Sequence, residues 1–413
     1  MMNILDALAS AARVESPVGL SQSEVYKRKF SSVYDTLHEG DIDDVGMSRL
    51  LYEAQPETSE TIAGYEVYAC DATDEPRANA KTLADRSMQK SDASARGVAG
   101  HKYQWLVRLV TERKSWVAPQ AVERVKSSET ANVVAARQAQ ALDQRSTTRK
   151  VVVADSGYVG KAFLGVFIGL LSVVLLIRLR NNQALYGAAQ PAPAHKPGRP
   201  AKHGRKVKLN APPKPDREER CEIRGHTVIL QAWTDLHFKA VAALIGMVVC
   251  VTFLKPDGTP KFKRPLWLFW TGAPHTALLD IARMYLWRFC IEHFFRFMKQ
   301  HMGLCAYNGV SDSGVIQWMR VCMLAYWQLL LSVDLAQPVS LPWRKLPLLN
   351  VPFALTPRQV QLTMPSILVA VGTPASLPRP SGKAPGRAKG FRPSPRMRHP
   401  IVYKSKKQPE RVT

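Results

Sequence analysis

Apolar residues recur along this chain with three different spacings, and each spacing predicts a different element. In residues 284–303, MYLWRFCIEHFFRFMKQHMG, they return every three or four positions, with no proline and no glycine before Gly303. That pattern predicts a single amphipathic helix. Leu286, Trp287, Ile291, Phe294, Phe297 and Met298 fall on one side. At about 100° per residue, Tyr285, Arg288, Glu292 and Lys299 share a polar sector on the other. Strict alternation marks residues 64–73, GYEVYACDAT, as a strand that carries Asp71. The unbroken apolar run at 151–154 predicts a fully buried parallel strand ending on Asp155, with Gly157 opening the following turn.

The rest of the chain reads in the same terms. Residues 1–60 look helical, and Ser21 to Glu24 has the Ser-x-x-Glu form of a capping box. Residues 101–125 predict a hairpin that turns at 112–115, and 130–143 an Ala- and Gln-rich helix. Residues 162–177 predict a buried helix running into a buried strand; their sixteen residues fall short of the roughly 20 that span a bilayer. Strands follow at 226–233, 244–254 and 265–272, where Trp267 and Trp270 are expected in the core, and a last apolar helix at 313–331.

Charge narrows the possible partners. Fifty-seven Lys and Arg against 33 Asp and Glu give a formal charge of +24 over 413 residues, which favours nucleic acid over a membrane surface. Part of this charge is concentrated in stretches that cannot pack. Residues 188–215 are rich in Pro, Lys and Arg, and within them KPGRPAKHGRK, with Arg199 and Lys202, resembles a minor-groove AT-hook. From residue 379 to the end, eleven cations face one acid, Glu410, which predicts a disordered basic tail. Six cysteines without a CxxC pair read as reduced thiols, and the first residues lack a signal-peptide pattern, so a cytoplasmic location at the nucleoid is expected.

Tyr, two residues, Arg, three, Glu, six, Lys is a spacing that resembles the Tyr-Arg-Glu-Lys signature of bacterial insertion-sequence DDE transposases. Asp71, in an apolar run followed by Asp-x-Thr, and Asp155, in Asp-x-Gly-Tyr, resemble that family's two catalytic aspartate motifs. The resemblance implies an α/β fold: a ribonuclease-H-like mixed sheet with flanking helices, interrupted by a β-rich insertion. The separation of 137 positions from Asp155 to Glu292 leaves room for that insertion. The implied organisation is a small helical N-terminal region at 1–60, a candidate for DNA binding, and a first core part at 61–187. A basic linker with the insertion follows at 188–272, the second core part at 273–340, and a C-terminal extension at 341–413.

The implied function is transposition: binding the terminal repeats of a mobile element, cutting DNA by metal-dependent phosphoryl transfer, and joining the ends to target DNA, as a homodimer on DNA. Asp71, Asp155 and Glu292 are the implied catalytic residues and ligands for Mg²⁺, with Mn²⁺ able to substitute, because carboxylates suit hard cations. Tyr285, Arg288, Phe289 and Lys299 are the implied DNA contacts. Phe289 stands where the family commonly has Trp, and Asp74 is a nearby decoy. A DNA-binding relic of a transposase and a nuclease without strand transfer are the alternatives.

Overall fold

A computed structural model describes the chain apart from residues 92–93, 113, 190–200, 339–342, 344–352, 375–385, 387, 393 and 404–413. Three helices come first, α1 (Met2–Ser10), α2 (Ser31–Glu39) and α3 (Asp44–Glu53). The strands β1 (Glu66–Pro76), β2 (Ser87–Ser91), β3 (Ser94–Leu109) and β4 (Val117–Arg124) lead to α4 (Ala131–Asp143). Then come β5 (Lys150–Ala154), α5 (Lys161–Val166), β6 (Val173–Leu179), β7 (Ala184–Tyr186), β8 (Lys206–Lys208), β9 (Arg217–Ile223), β10 (His226–Phe238), β11 (Val241–Phe253) and β12 (Leu266–Trp270). Helices α6 (Leu278–Trp287), α7 (Cys290–Gln300), α8 (Asp312–Leu331) and α9 (Pro357–Val371) complete the order.

The strands join one mixed sheet, ordered β2-β3-β1-β5-β6-β12-β11-β10-β7-β8, with β4 beside β3 and β9 beside β10. Strands β1, β5 and β6 run parallel, and their neighbours run antiparallel. The mixed α/β architecture expected from the sequence is therefore present. The strands at 226–270 continue the sheet directly from β6 through an antiparallel β12. Because β1, β5 and β6 are covered on both faces, their side chains alternate between two cores. Val67, Ala69, Val151 and Val153 enter the larger core with Trp105, Ile281, Phe294 and Trp318; Tyr68, Cys70, Val152 and Ala154 enter the smaller one beneath α4 and α5. Parallel central strands buried on both faces are what near-continuous apolar runs produce.

Several details differ from the sequence expectation. Ser21 forms no capping box: its hydroxyl donates to the Val18 carbonyl, and α2 starts only at Ser31. A complete box forms instead at Thr356 and Gln359, opening α9. Part of the tail expected to be disordered is docked: His399 N–H donates to the Lys81 carbonyl at 2.8 Å and Val402 N–H to the Arg86 carbonyl at 2.7 Å, alongside β2. Edge strands attract such added backbone. Trp267 and Trp270 are core residues, 3% and 1% exposed. All six cysteines are free, and among the described residues no helix is long and apolar enough to cross a membrane.

Candidate active site

Strand register brings the two aspartates together. Ala69 of β1 pairs with Val153 of β5, so Asp71 and Asp155, two residues further on, lie side by side on the face shared with the larger core. Asp155 ends the buried β5, and its carboxylate accepts the Gly157 N–H at 2.8 Å, closing a short turn. Asp71 sits inside β1, accepts its neighbour Ala72's N–H at 2.8 Å and is partly buried. Asp74 takes no part, being paired with Lys102 at 3.1 Å.

The expected helix over 284–303 is two helices. Helix α6 stops at Trp287 and α7 starts at Cys290, with i→i−3 bonds (Arg288 N–H to Tyr285, Glu292 N–H to Phe289) around the break. No Pro or Gly causes this kink; tertiary anchors account for it. Helix α6 packs on β6, β9 and β10, whereas α7 packs on β1 and β4. The buried Trp287 donates its indole N–H to the Thr111 carbonyl at 2.9 Å, pinning the junction.

The kink aims Arg288 at the aspartates. Only 8% exposed, its guanidinium donates to Asp71 Oδ2 at 3.0 Å and to Glu292 Oε1 at 3.1 Å, and it also meets the Tyr285 hydroxyl. Asp71, Glu292 and Tyr285 thus converge on one forked cation, the arrangement in which arginine binds carboxylates best. Lys299 is not in this group. It lies near the end of α7 beside a cavity lined by Arg13, Glu15, His301 and Cys305. Phe289 is half exposed, with its ring edge-on to His293 at 4.9 Å. Lys202 is exposed ahead of β8, and Arg199 lies outside the described residues.

The charges are coupled. Burial raises the Asp71 pKa above the usual carboxylate range; Arg288 opposes this and Asp155 adds to it. Burial works against the charge on Arg288, but Asp71 and Tyr285 hold it, so its pKa rises overall. Burial likewise raises the Tyr285 phenol, against the pull of Arg288 and Arg178. A carboxyl whose folded pKa is raised contributes stability that is complete below the unfolded value and is lost as pH rises through the folded one. Asp71→Asn is therefore expected to raise the thermal midpoint at neutral pH and to match wild type below about pH 4. Melting curves over that range check this; a lowered midpoint at neutral pH would contradict it.

The oxygen donors of Asp71 and Asp155 suit a hard divalent cation. The Glu292 carboxylate is joined to them through Arg288, and among the described residues no three His, Cys, Asp or Glu side chains close on one metal position. Sequence reasoning missed one neighbour of the site. Ala154 pairs with Ile177, so Arg178 of β6 sits beside Asp155 in the row that contains Asp71. The signal was a cation directly after an apolar strand, at the same end as both aspartates.

Comparisons with known proteins place the chain at the level of family. A search of curated proteins returns no significant match. Among solved structures, the piggyBac transposase synaptic complex with hairpin DNA aligns at TM-score 0.40 and 9% identity, covering 94% of this chain and 77% of that one, a likeness too loose to support an inference. A family model described as DDE superfamily endonuclease matches residues 2–237, which include Asp71 and Asp155 and stop short of Glu292. With more than half of its length inside that match, the chain belongs to the DDE superfamily endonucleases.

Proposed function

We propose that this protein is a DNA transposase of the Tyr-Arg-Glu-Lys type, which binds the ends of its own mobile element, cuts them and joins them to target DNA. The observation that carries the reading is the placing of Asp71 and Asp155 side by side, with Glu292 of a separate helix linked to Asp71 through Arg288. Asp71 and Asp155 lie at the same end of adjacent parallel strands, and Arg288 ties Glu292 to Asp71. Ligands commonly bind at the carboxyl ends of parallel strands.

In this reading Asp71, Asp155 and Glu292 hold divalent metal, Mg²⁺ or Mn²⁺. When bound, it supplies a lowered pKa for the attacking oxygen and charge stabilisation for the leaving one. In the same reading Arg288 and Tyr285 contact the scissile phosphate. The same guanidinium that neutralises Asp71 and Glu292 in the free protein is placed to exchange a carboxylate for a phosphate oxygen, a ligand of similar geometry. Phe289 offers an exposed ring to the same DNA, while Lys299, Lys202 and Arg199 extend the contact along it. Action as a homodimer on the paired element ends belongs to the same reading.

The test is Mg²⁺-dependent cleavage of a supercoiled plasmid carrying the gene with its flanking DNA, wild type beside Glu292→Gln. Cuts at the element boundaries by wild type alone support the reading. Cuts without end specificity or joining indicate a nuclease, and binding without cleavage by either protein indicates a DNA-binding relic. Equal cleavage by both proteins would remove Glu292 from the site.

A further inference from the structure

The row of residues that holds the aspartates does not end with them. One step past the Ala154–Ile177 pair, Arg178 lies beside Asp155, and it pairs on its other side with Leu268 of β12. Strands are about 4.8 Å apart, so the Arg178 backbone is about 5 Å from that of Asp155 and about 10 Å from that of Asp71. Arg178 and Arg180 flank Leu179, which is buried in the smaller core, so both arginines project toward the α6 side, and both are exposed.

Two adjoining cavities run from this point. One, of about 460 Å³, begins at Ser156, next to Asp155, and is lined by Arg178, Arg180, Asn182 and Arg264. The other, of about 330 Å³, shares Arg178 and Arg264 and continues to Phe262 and Tyr285. No acidic side chain lines either cavity. Among the described residues none of the three arginines has an ion-pair partner, in contrast to the doubly paired Arg288. The connection between β11 and β12 adds exposed Lys255, Lys261 and Lys263 around Phe262, which is 56% exposed.

We infer that Arg178, Arg180 and Arg264 form a phosphate-binding trough for the DNA strand leaving the carboxylate site, with Arg178 on the phosphate nearest Asp155. The inference rests on the proposed DNA-cutting function and adds to it the path of the strand. Three unpaired cations in a concave surface with no acidic lining suit a polyanion such as the phosphate backbone of DNA. The exposed Phe262 ring completes the cation-and-aromatic combination that tracks a DNA strand.

The test uses the full chain and a fluorescent duplex of the gene's flanking DNA, with anisotropy measured over a range of salt in metal-free buffer. Arg178→Ala and Arg264→Ala are each expected to weaken binding about tenfold and to lower the slope of log affinity against log salt by about 0.9; the double variant lowers it by about twice that. Lys239→Ala, at the far end of the β10–β11 hairpin, is expected to leave the slope unchanged. Thermal melts confirm that these exposed substitutions leave the fold intact. A wild-type slope in the double variant, with wild type binding this DNA and, in a separate assay with Mg²⁺, cutting it, overturns the trough and leaves the proposed DNA-cutting function standing. Wild-type protein that neither binds nor cuts this DNA overturns both.

Discussion

Asp155→Asn is expected to reduce single-turnover DNA cleavage by about a thousandfold or more, roughly 4 kcal/mol of transition-state stabilisation, while DNA binding stays within a few-fold of wild type. The separation follows from what Asp155 does in two settings. Its structural task is to accept the Gly157 N–H at 2.8 Å, and an amide oxygen performs this as well as a carboxylate. The task proposed for it, holding a divalent ion beside Asp71, needs the negative charge. Removing that charge also removes repulsion between the site and DNA phosphates, so affinity has no reason to fall. Cleavage within tenfold of wild type would show that Asp155 is only a turn former.

The second large effect concerns the support of the site. Trp105→Ala is expected to destabilise the fold by about 3–5 kcal/mol. Trp105 is fully buried on β3, in register with Asp71, and its ring meets Phe294 at 5.4 Å and Phe295 at 6.2 Å edge-on. It is the pillar between the strand beside Asp71 and the helix that carries Glu292. Its loss leaves a large cavity beneath α7, because Phe294 is itself held against Tyr326 at 4.9 Å and cannot collapse freely into the space. Denaturant unfolding measures this, and Trp105→Phe should recover part of the loss. A change below about 1 kcal/mol would mean that α7 is held mainly by its other contacts.

The sequence was most legible where one element's own pattern decides its structure. The apolar run before Asp155 announced β5, alternation announced β1, and the hairpin at 101–125 appeared as β3 and β4. Tyr285, Arg288 and Glu292 were assigned to one polar surface, and Tyr285 and Glu292 do meet at Arg288, which reaches Asp71. What was not legible depends on contacts distant in sequence. The break between α6 and α7 has no local breaker; it reflects two packing partners and the Trp287 anchor. Lys299 was expected on the same sector, but the kink and two further turns of helix carry it to another cavity. Arg178 reads in sequence only as a charge after an apolar run, and its place beside Asp155 emerges from the β5–β6 register. Strand β9, REERCEI, was overlooked because it pairs only with β10 and has a mostly exposed, charged pattern. Solvent replaces the apolar signal on such an edge strand.

The central claim is that Asp71, Asp155 and Glu292 serve one divalent-metal centre, and the most direct measurement is the thermal midpoint of the protein with and without Mn²⁺. An ion bound only by the folded state stabilises it by about 2.7 kcal/mol at a hundred times its dissociation constant. Wild type is therefore expected to melt several degrees higher with Mn²⁺, Asp71→Asn and Asp155→Asn to show no rise, and Glu292→Gln a reduced one, each against its own metal-free midpoint. An equal Mn²⁺-dependent rise in all four proteins would contradict the account, placing the metal away from these carboxylates.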